Sequence, residues 1–192
     1  MKVLISFLFF SLNSVLAQPN VDFKGELNKL YEFVGINIQF SAADVKAKRD
    51  GKVLMKFKVL NNSEIDSILV VNSVSQSIDS EVLRVLSLTS GNWTTDTSDS
   101  YLLEVNCSLL YDGKLNYTKL KNRLRRAVKE NKVDKIEYYL DAIRREDPYD
   151  TENLDQLISF YQTQNKEKEA EKTIELKSDI SYFFNKGNII GR

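Results

Sequence analysis

Apolar and polar residues alternate in the first half of the chain. Between residues 50 and 73, Val53, Met55 and Phe57 alternate with Lys52, Lys56 and Lys58, and a polar stretch at 61–64 precedes a second apolar run. A period of two residues puts alternate side chains on opposite faces of a strand, and Asn and Ser in the polar stretch favour a turn. The pattern therefore predicts a β-hairpin with one buried face.

A third strand and two helices are predicted around this hairpin. Residues 101–111 alternate again, with an apolar face and a polar face. Residues 23–34 and 77–88 instead repeat apolar side chains at three- and four-residue steps, which is typical of amphipathic helices. The order of these elements predicts an α+β fold, in which a small three-stranded antiparallel sheet carries helices on one face.

The second half of the chain is predicted to be helical, and its pattern repeats. The pair Asn131-Lys132 recurs 34 residues later as Asn165-Lys166. A fixed period of this length is the signature of the tetratricopeptide repeat. Residues 114–184 are therefore predicted to form an all-α module of two tetratricopeptide-like helical hairpins, with a tail at 185–192. The predicted helices are residues 117–130, 133–146, 151–163 and 167–178.

Two repeats leave apolar surface at the end of their stack, because each repeat is covered by its neighbour. The segment 180–184, rich in aromatic residues, is predicted to cover such surface from within the chain; the alternative is that it awaits a partner. The basic residues between 119 and 129 are predicted to form a solvated helix face. The alternative is a site for anionic lipid, a cell-wall polymer or an acidic protein.

The N-terminus has the features of an export signal at residues 1–17. A positive start at Met1-Lys2 is followed by an apolar run from Val3 to Ala17, with small or branched residues just before Gln18. As a helix this run would span about 22 Å, which is short of the ~30 Å core of a bilayer. We therefore expect a cleaved signal and a periplasmic protein. The alternative is a protein anchored in the inner membrane.

The composition excludes several kinds of chemistry. The 192-residue chain contains no His, one Cys, and 27 basic against 27 acidic residues. A Ser-His-Asp triad and a His-based zinc site are therefore impossible, and the balanced charge gives no electrostatic footprint for nucleic acid. Cys107 falls in the pattern of the third strand and is expected to be buried. We expect no enzymatic activity, no cofactor, no metal and no small-molecule substrate.

The first module resembles the C-terminal domain of the TonB family in the order of its features. The resemblance covers residues 20–113 and depends on that order rather than on any single motif. The residues that carry it are Gly51-Lys52-Val53 at the start of the first strand, Phe57, Ile65 to Ser73, Ile78-Asp79, Trp93 and Tyr101 to Tyr111.

The resemblance implies that an extended peptide of a partner adds as a strand beside the last strand, at residues 101–110. The residues expected to bind the partner there are Leu102, Glu104, Asn106 and Ser108. A second docking surface is expected on the helical module, at Asp155, Ser159 and Gln162.

The resemblance also implies a class of partner, namely a TonB-dependent outer-membrane transporter or the machinery that energises it. Three alternatives remain at this point. The sheet could be a scaffold for an adaptor whose helical repeats bind the partner, or the same sheet edge could mediate self-association. A chain that kept its N-terminus in the membrane could instead act as an energy transducer.

Overall fold

The computed structural model describes residues 21–109 and 113–191. Within these ranges the chain forms seven helices and two sheets, so the fold is mixed α and β as predicted. The predicted export signal at residues 1–17 lies outside the described residues. Among the residues that were described, no helix is both long enough and apolar enough to cross a membrane.

The first half of the chain contains five strands and three helices. In chain order they are β1 (Val21–Phe23), α1 (Leu27–Asn37), α2 (Ala42–Ala47), β2 (Gly51–Val59), β3 (Ile65–Asn72), α3 (Gln76–Ser87), β4 (Trp93–Thr95) and β5 (Asp99–Cys107). The second half contains four helices and a short strand. They are α4 (Tyr117–Lys129), α5 (Val133–Glu146), α6 (Thr151–Thr163), α7 (Glu167–Lys186) and β6 (Ile189–Ile190).

The main sheet has four strands in the order β3-β2-β5-β6. The predicted hairpin is confirmed as β2 and β3, and β5 pairs antiparallel with β2 over the full register from Gly51↔Cys107 to Val59↔Asp99. The prediction of three strands is wrong, because β6 from the C-terminal tail adds to β5 in parallel. The two isoleucines of β6 are too few to show the alternation by which strands are recognised.

One face of the sheet packs against α1 and α3, as the alternating pattern predicted. Val53, Met55 and Phe57 are buried there with the stripes of the two helices. Trp93 lies beside Phe57 with a ring-centroid distance of 5.2 Å, and its indole N–H donates to the Thr89 hydroxyl at 2.9 Å. Trp93 begins a short strand, β4, which pairs with β1.

The other face of the sheet is also buried, which corrects the prediction of helices on one face only. Leu54 of β2 and Leu102 of β5 have no exposed surface and pack against a helical core that includes Ile180 and Phe183 of α7. Polar contacts cross the same junction, since the Lys56 ammonium lies 2.7 Å from an Asp179 carboxylate oxygen. The sheet therefore lies between two helical layers.

Helices α4 to α7 form two helical hairpins at the predicted positions. Their turns share one feature, because Asn131 and Asn165 both adopt positive φ, at 49° and 56°. The 34-residue period thus has a counterpart in the backbone, while membership of the tetratricopeptide family stays a prediction. The longest helix, α7, has 20 residues and includes the segment 180–184, whose Ile180 and Phe183 are buried as predicted. Tyr182 and Phe184 remain about half exposed.

We expect Leu54→Ala to lower the free energy of unfolding by about 2–5 kcal/mol, because it opens a cavity between the sheet and α7. Leu69→Ala, in the neighbouring strand β3, is the matched control: Leu69 is 57% exposed, and we expect a change within about 0.5 kcal/mol. Urea unfolding of the two variants measures both values. Equal effects would show that the sheet and α7 do not pack together in solution.

Candidate partner-binding surfaces

The edge of β5 is occupied by the chain itself. Leu102 and Leu103 pair with Ile189 and Ile190, and the Leu102 N–H donates to the Asn188 carbonyl at 2.9 Å. The Asn188 side-chain amide donates to an Asp99 carboxylate oxygen at 3.1 Å and to the Ser100 carbonyl at 3.0 Å. Ile190 is 1% exposed and belongs to the core under the sheet. The prediction of a free edge is therefore wrong at the centre of this strand.

Two of the four residues predicted to bind a partner on β5 are buried. Leu102 contacts the helical layer, and Glu104 is 9% exposed, with a carboxylate oxygen 3.1 Å from the Lys52 ammonium. Burial raises the pKa of Glu104, and the Lys52 charge and the Tyr149 hydroxyl only partly oppose that increase. Both residues were expected to face solvent, and the reason for the error is that α6 and α7 cover this face.

The other two predicted residues, Asn106 and Ser108, lie beyond the part of β5 that pairs with the tail. Both are partly exposed, and the Ser108 hydroxyl donates to the Asn106 side-chain oxygen at 2.5 Å. Both side chains are therefore accessible to a partner. Residues 110–112, a little further along the chain, lie outside the described residues. The structure thus divides the predicted set on β5 into a buried pair and an accessible pair.

Gly191 follows β6 at a position that only a glycine fits. Its φ is +94°, and a Cβ there would lie 2.8 Å from the Glu104 carbonyl oxygen. A backbone hydrogen bond also joins Gly191 to the Tyr31 side chain. Because glycine has no Cβ, the two backbones can approach this closely and the tail can lie against β5.

We expect Gly191→Ala to release the tail, because the added methyl group meets the Glu104 carbonyl. Hydrogen exchange at the Leu102 amide, which donates to Asn188, should become faster. The control is Gly25→Ala, since Gly25 has a similar φ of +87° but nothing within 4 Å of the added Cβ. If both variants leave the Leu102 amide equally protected, the tail is not held in this way.

A second surface is a groove of 910 Å³ between α4 and α6. Its apolar lining includes Leu124, Val128, Ile136, Leu140 and Phe160. Charged side chains line its two sides, with Lys121, Arg125 and Lys129 from α4 and Glu152 and Asp155 from α6. Val128 is 55% exposed, so apolar surface is open to solvent between two walls of opposite charge. Exposed apolar surface with a polar rim is typical of an interaction site.

Asp150 fixes the two walls of the groove relative to each other. Its side chain caps α6 by accepting from the Asn153 N–H at 3.1 Å. It also accepts from the Tyr117 hydroxyl at 2.5 Å, and the Lys121 ammonium lies 3.1 Å away, so two residues of α4 are bound to the start of α6. Burial raises the pKa of Asp150, but its hydrogen bonds to Tyr117, Asn153 and Lys121 outweigh burial and lower the pKa overall. The carboxylate is therefore charged at neutral pH and binds both helices.

The predicted residues on α6 fall partly in this groove. Asp155 and Ser159 line it, whereas Gln162 is exposed on α6 outside the lining. Asp155 also forms an ion pair with Lys177 of α7 at 2.5 Å. The opposite wall is formed by the basic residues of α4, for which a solvated helix face was predicted and a binding site was the alternative. Their clustering on one helix was the sign of this wall in the sequence.

The remaining predicted chemistry concerns Cys107 and metal binding. Cys107 is buried as predicted, and burial raises the pKa of its thiol to about 12, so the thiol is protonated at neutral pH. In the part of the chain that the structure describes, no three His, Cys, Asp or Glu residues are grouped to hold a metal ion.

Comparison with known proteins gives one structural neighbour. The NMR structure of the TonB C-terminal domain of Helicobacter pylori is similar to this chain with a TM-score of 0.40 and 15% sequence identity. The match covers 45% of this chain and 96% of the neighbour. No family model and no curated protein matches the chain.

Proposed function

We propose that this chain is a non-enzymatic interaction protein that binds a segment of a partner polypeptide in the groove between α4 and α6. The observation that carries the proposal is the open apolar floor between a basic and an acidic wall. In this proposal the sheet is a scaffold that holds the helical hairpins. This corresponds to the adaptor alternative of the sequence analysis.

The chemistry of the groove suits a polypeptide segment. Burial of Val128 and of the half-buried Phe160 would supply affinity through their apolar surface. Walls of opposite charge favour a segment with opposite charges on its two sides, and such complementarity fixes orientation more than it adds affinity. Ser159, exposed on α6, can supply a hydrogen bond within the groove.

Strand addition at β5 is the less favoured function, because the tail would first have to dissociate from the edge of β5. A competing strand would lose the burial of Ile190 and the hydrogen bonds of Asn188 before it gained its own. The opposite edge of the sheet, β3, has register shifts against β2 and a positive φ of 57° at Ser67. Irregular edges of this kind disfavour pairing with another strand.

Placement in the periplasm is part of the proposal and rests on the sequence of residues 1–17. We expect the protein from an envelope fraction to begin at Gln18, which mass spectrometry of the intact chain would show. A mass that retains Met1 would instead support the membrane-anchored alternative. A link to outer-membrane transport is a further extension that rests only on the sequence resemblance.

We expect Ser159→Trp to abolish binding in the groove, because the indole fills the space above Phe160. The measurement selects peptides from a random library displayed on phage, using the full chain, and compares their binding to each variant. Ser178→Trp is the matched control, since Ser178 is also an exposed helical serine but lies on α7 outside the groove.

Selected peptides should lose at least about tenfold in affinity for Ser159→Trp, as expected when a central contact is blocked, and should bind Ser178→Trp as they bind the original chain. Peptides that bind both variants equally well would place the binding site elsewhere.

A further inference from the structure

A cleft of 480 Å³ lies on the other flank of α4, between α4 and α5. We call this cleft the end cleft. It is separate from the α4/α6 groove, since the two share no lining residue. It contains a single carboxylate, that of Glu130. Its basic lining residues are Lys119, Arg123, Arg126, Lys132 and Lys135.

The positive charge of the end cleft is largely unpaired. Among the described residues, Lys132 is the one cation of the cleft that forms an ion pair, with Glu130 at 2.5 Å. Lys132 lowers the pKa of Glu130, with smaller contributions from Arg126 and Lys135, so this carboxylate is fully charged at neutral pH. Its single charge cannot balance five cations. By contrast, Lys121, which lines the α4/α6 groove, lies near two carboxylates.

Helix formation does not explain this arrangement. Helix α4 contains six basic residues and no acidic residue in 13 positions. Like charges at a spacing of four, such as Lys119 and Arg123, destabilise a helix. Lys119 also lies in the first turn, where the helix dipole disfavours a cation. Lys119 and Arg123 therefore oppose local folding, whereas Arg126 and Lys129 in the last turn are favoured by the helix dipole.

Solubility does not explain the arrangement either. The exposed end of a helical stack needs a polar surface, and residues of both signs would serve that need. Helix α7 shows such a mixture, with Lys168 and Lys172 beside Glu169 and Glu171. The whole chain has no net charge, whereas the end cleft has five basic residues and one acidic residue.

We propose that the end cleft binds an acidic segment of a partner protein. The guanidinium groups of Arg123 and Arg126 match carboxylates in geometry. Between the cations, the half-buried Leu115 and Tyr139 offer apolar contacts at the base of the cleft. A recessed site with an apolar base fits side chains of a polypeptide better than the flat surface of a membrane. The proposal is independent of the function assigned to the α4/α6 groove.

The test uses the full chain and a fluorescein-labelled peptide in which pairs of Glu alternate with single Leu. Fluorescence anisotropy should show binding at about 50 mM salt that weakens strongly at about 300 mM, because salt screens exposed charges. A peptide with Gln in place of Glu should not bind. The variant Arg123→Glu/Arg126→Glu should bind the acidic peptide at least about tenfold more weakly.

Lys168→Glu/Lys172→Glu is the matched control, because it makes the same charge change at exposed positions of α7. It should bind the acidic peptide within about twofold of the original chain, as expected for charges remote from the site. Arg123→Gln/Arg126→Gln introduces no like-charge repulsion and should also weaken binding. This variant shows whether the loss of binding in the glutamate variant comes from a folding defect. Ser159→Trp should leave this binding unchanged, which separates the end cleft from the groove.

Three results would overturn the proposal. The acidic peptide could fail to bind the original chain, or the α7 control could lose as much affinity as the cleft variant. Alternatively, phosphatidylglycerol vesicles could bind through Arg123 and Arg126 while the acidic peptide does not, which would assign the cleft to a membrane surface.

Discussion

Burial of the second face of the sheet determines the organisation of this protein. Leu54 and Leu102 have no exposed surface because α6 and α7 cover them. The contact joins residues that are far apart in sequence, and it includes the ion pair between Lys56 and Asp179. A sheet covered on both faces offers a partner only its edges. Binding surface must therefore come from the helices or from an edge strand.

The tail restricts the edges in turn. Helix α7 ends at Lys186, and the φ of 70° at the following Gly187 turns the chain so that Asn188 and the two residues of β6 lie along β5. Ile190 is buried in the core on the first face of the sheet, while Ile180 and Phe183 of α7 pack on the second face. One continuous segment thus closes both a face and an edge, while the groove between α4 and α6 stays open and exposes apolar surface.

The limits of the sequence analysis follow from the range of each interaction. Hairpin β2–β3, helices α4 to α6 and the start of α7 were predicted correctly because their periodicity is local, whereas α7 runs to Lys186 instead of ending at residue 178. Leu54 and Leu102 interrupt the alternation of their strands, and that irregularity was the available sign of a second buried face. Asp155 and Ser159 line the groove and Gln162 does not, and the binding role of all three stays a prediction. The tail strand could not be predicted, because its pairing depends on how α7 packs.

Helix α4 connects the two candidate surfaces, and its sequence explains how they differ. Arg125 and Lys129 face the acidic wall of the groove on α6, so a ligand there meets both signs of charge. Arg123 and Arg126 point to the end cleft, where one carboxylate opposes five cations. Because residues one or two apart point in different directions on a helix, one basic stretch lines two surfaces that differ in their charge. A net charge of zero therefore describes the composition of the chain and not the uneven distribution of charge over its surfaces.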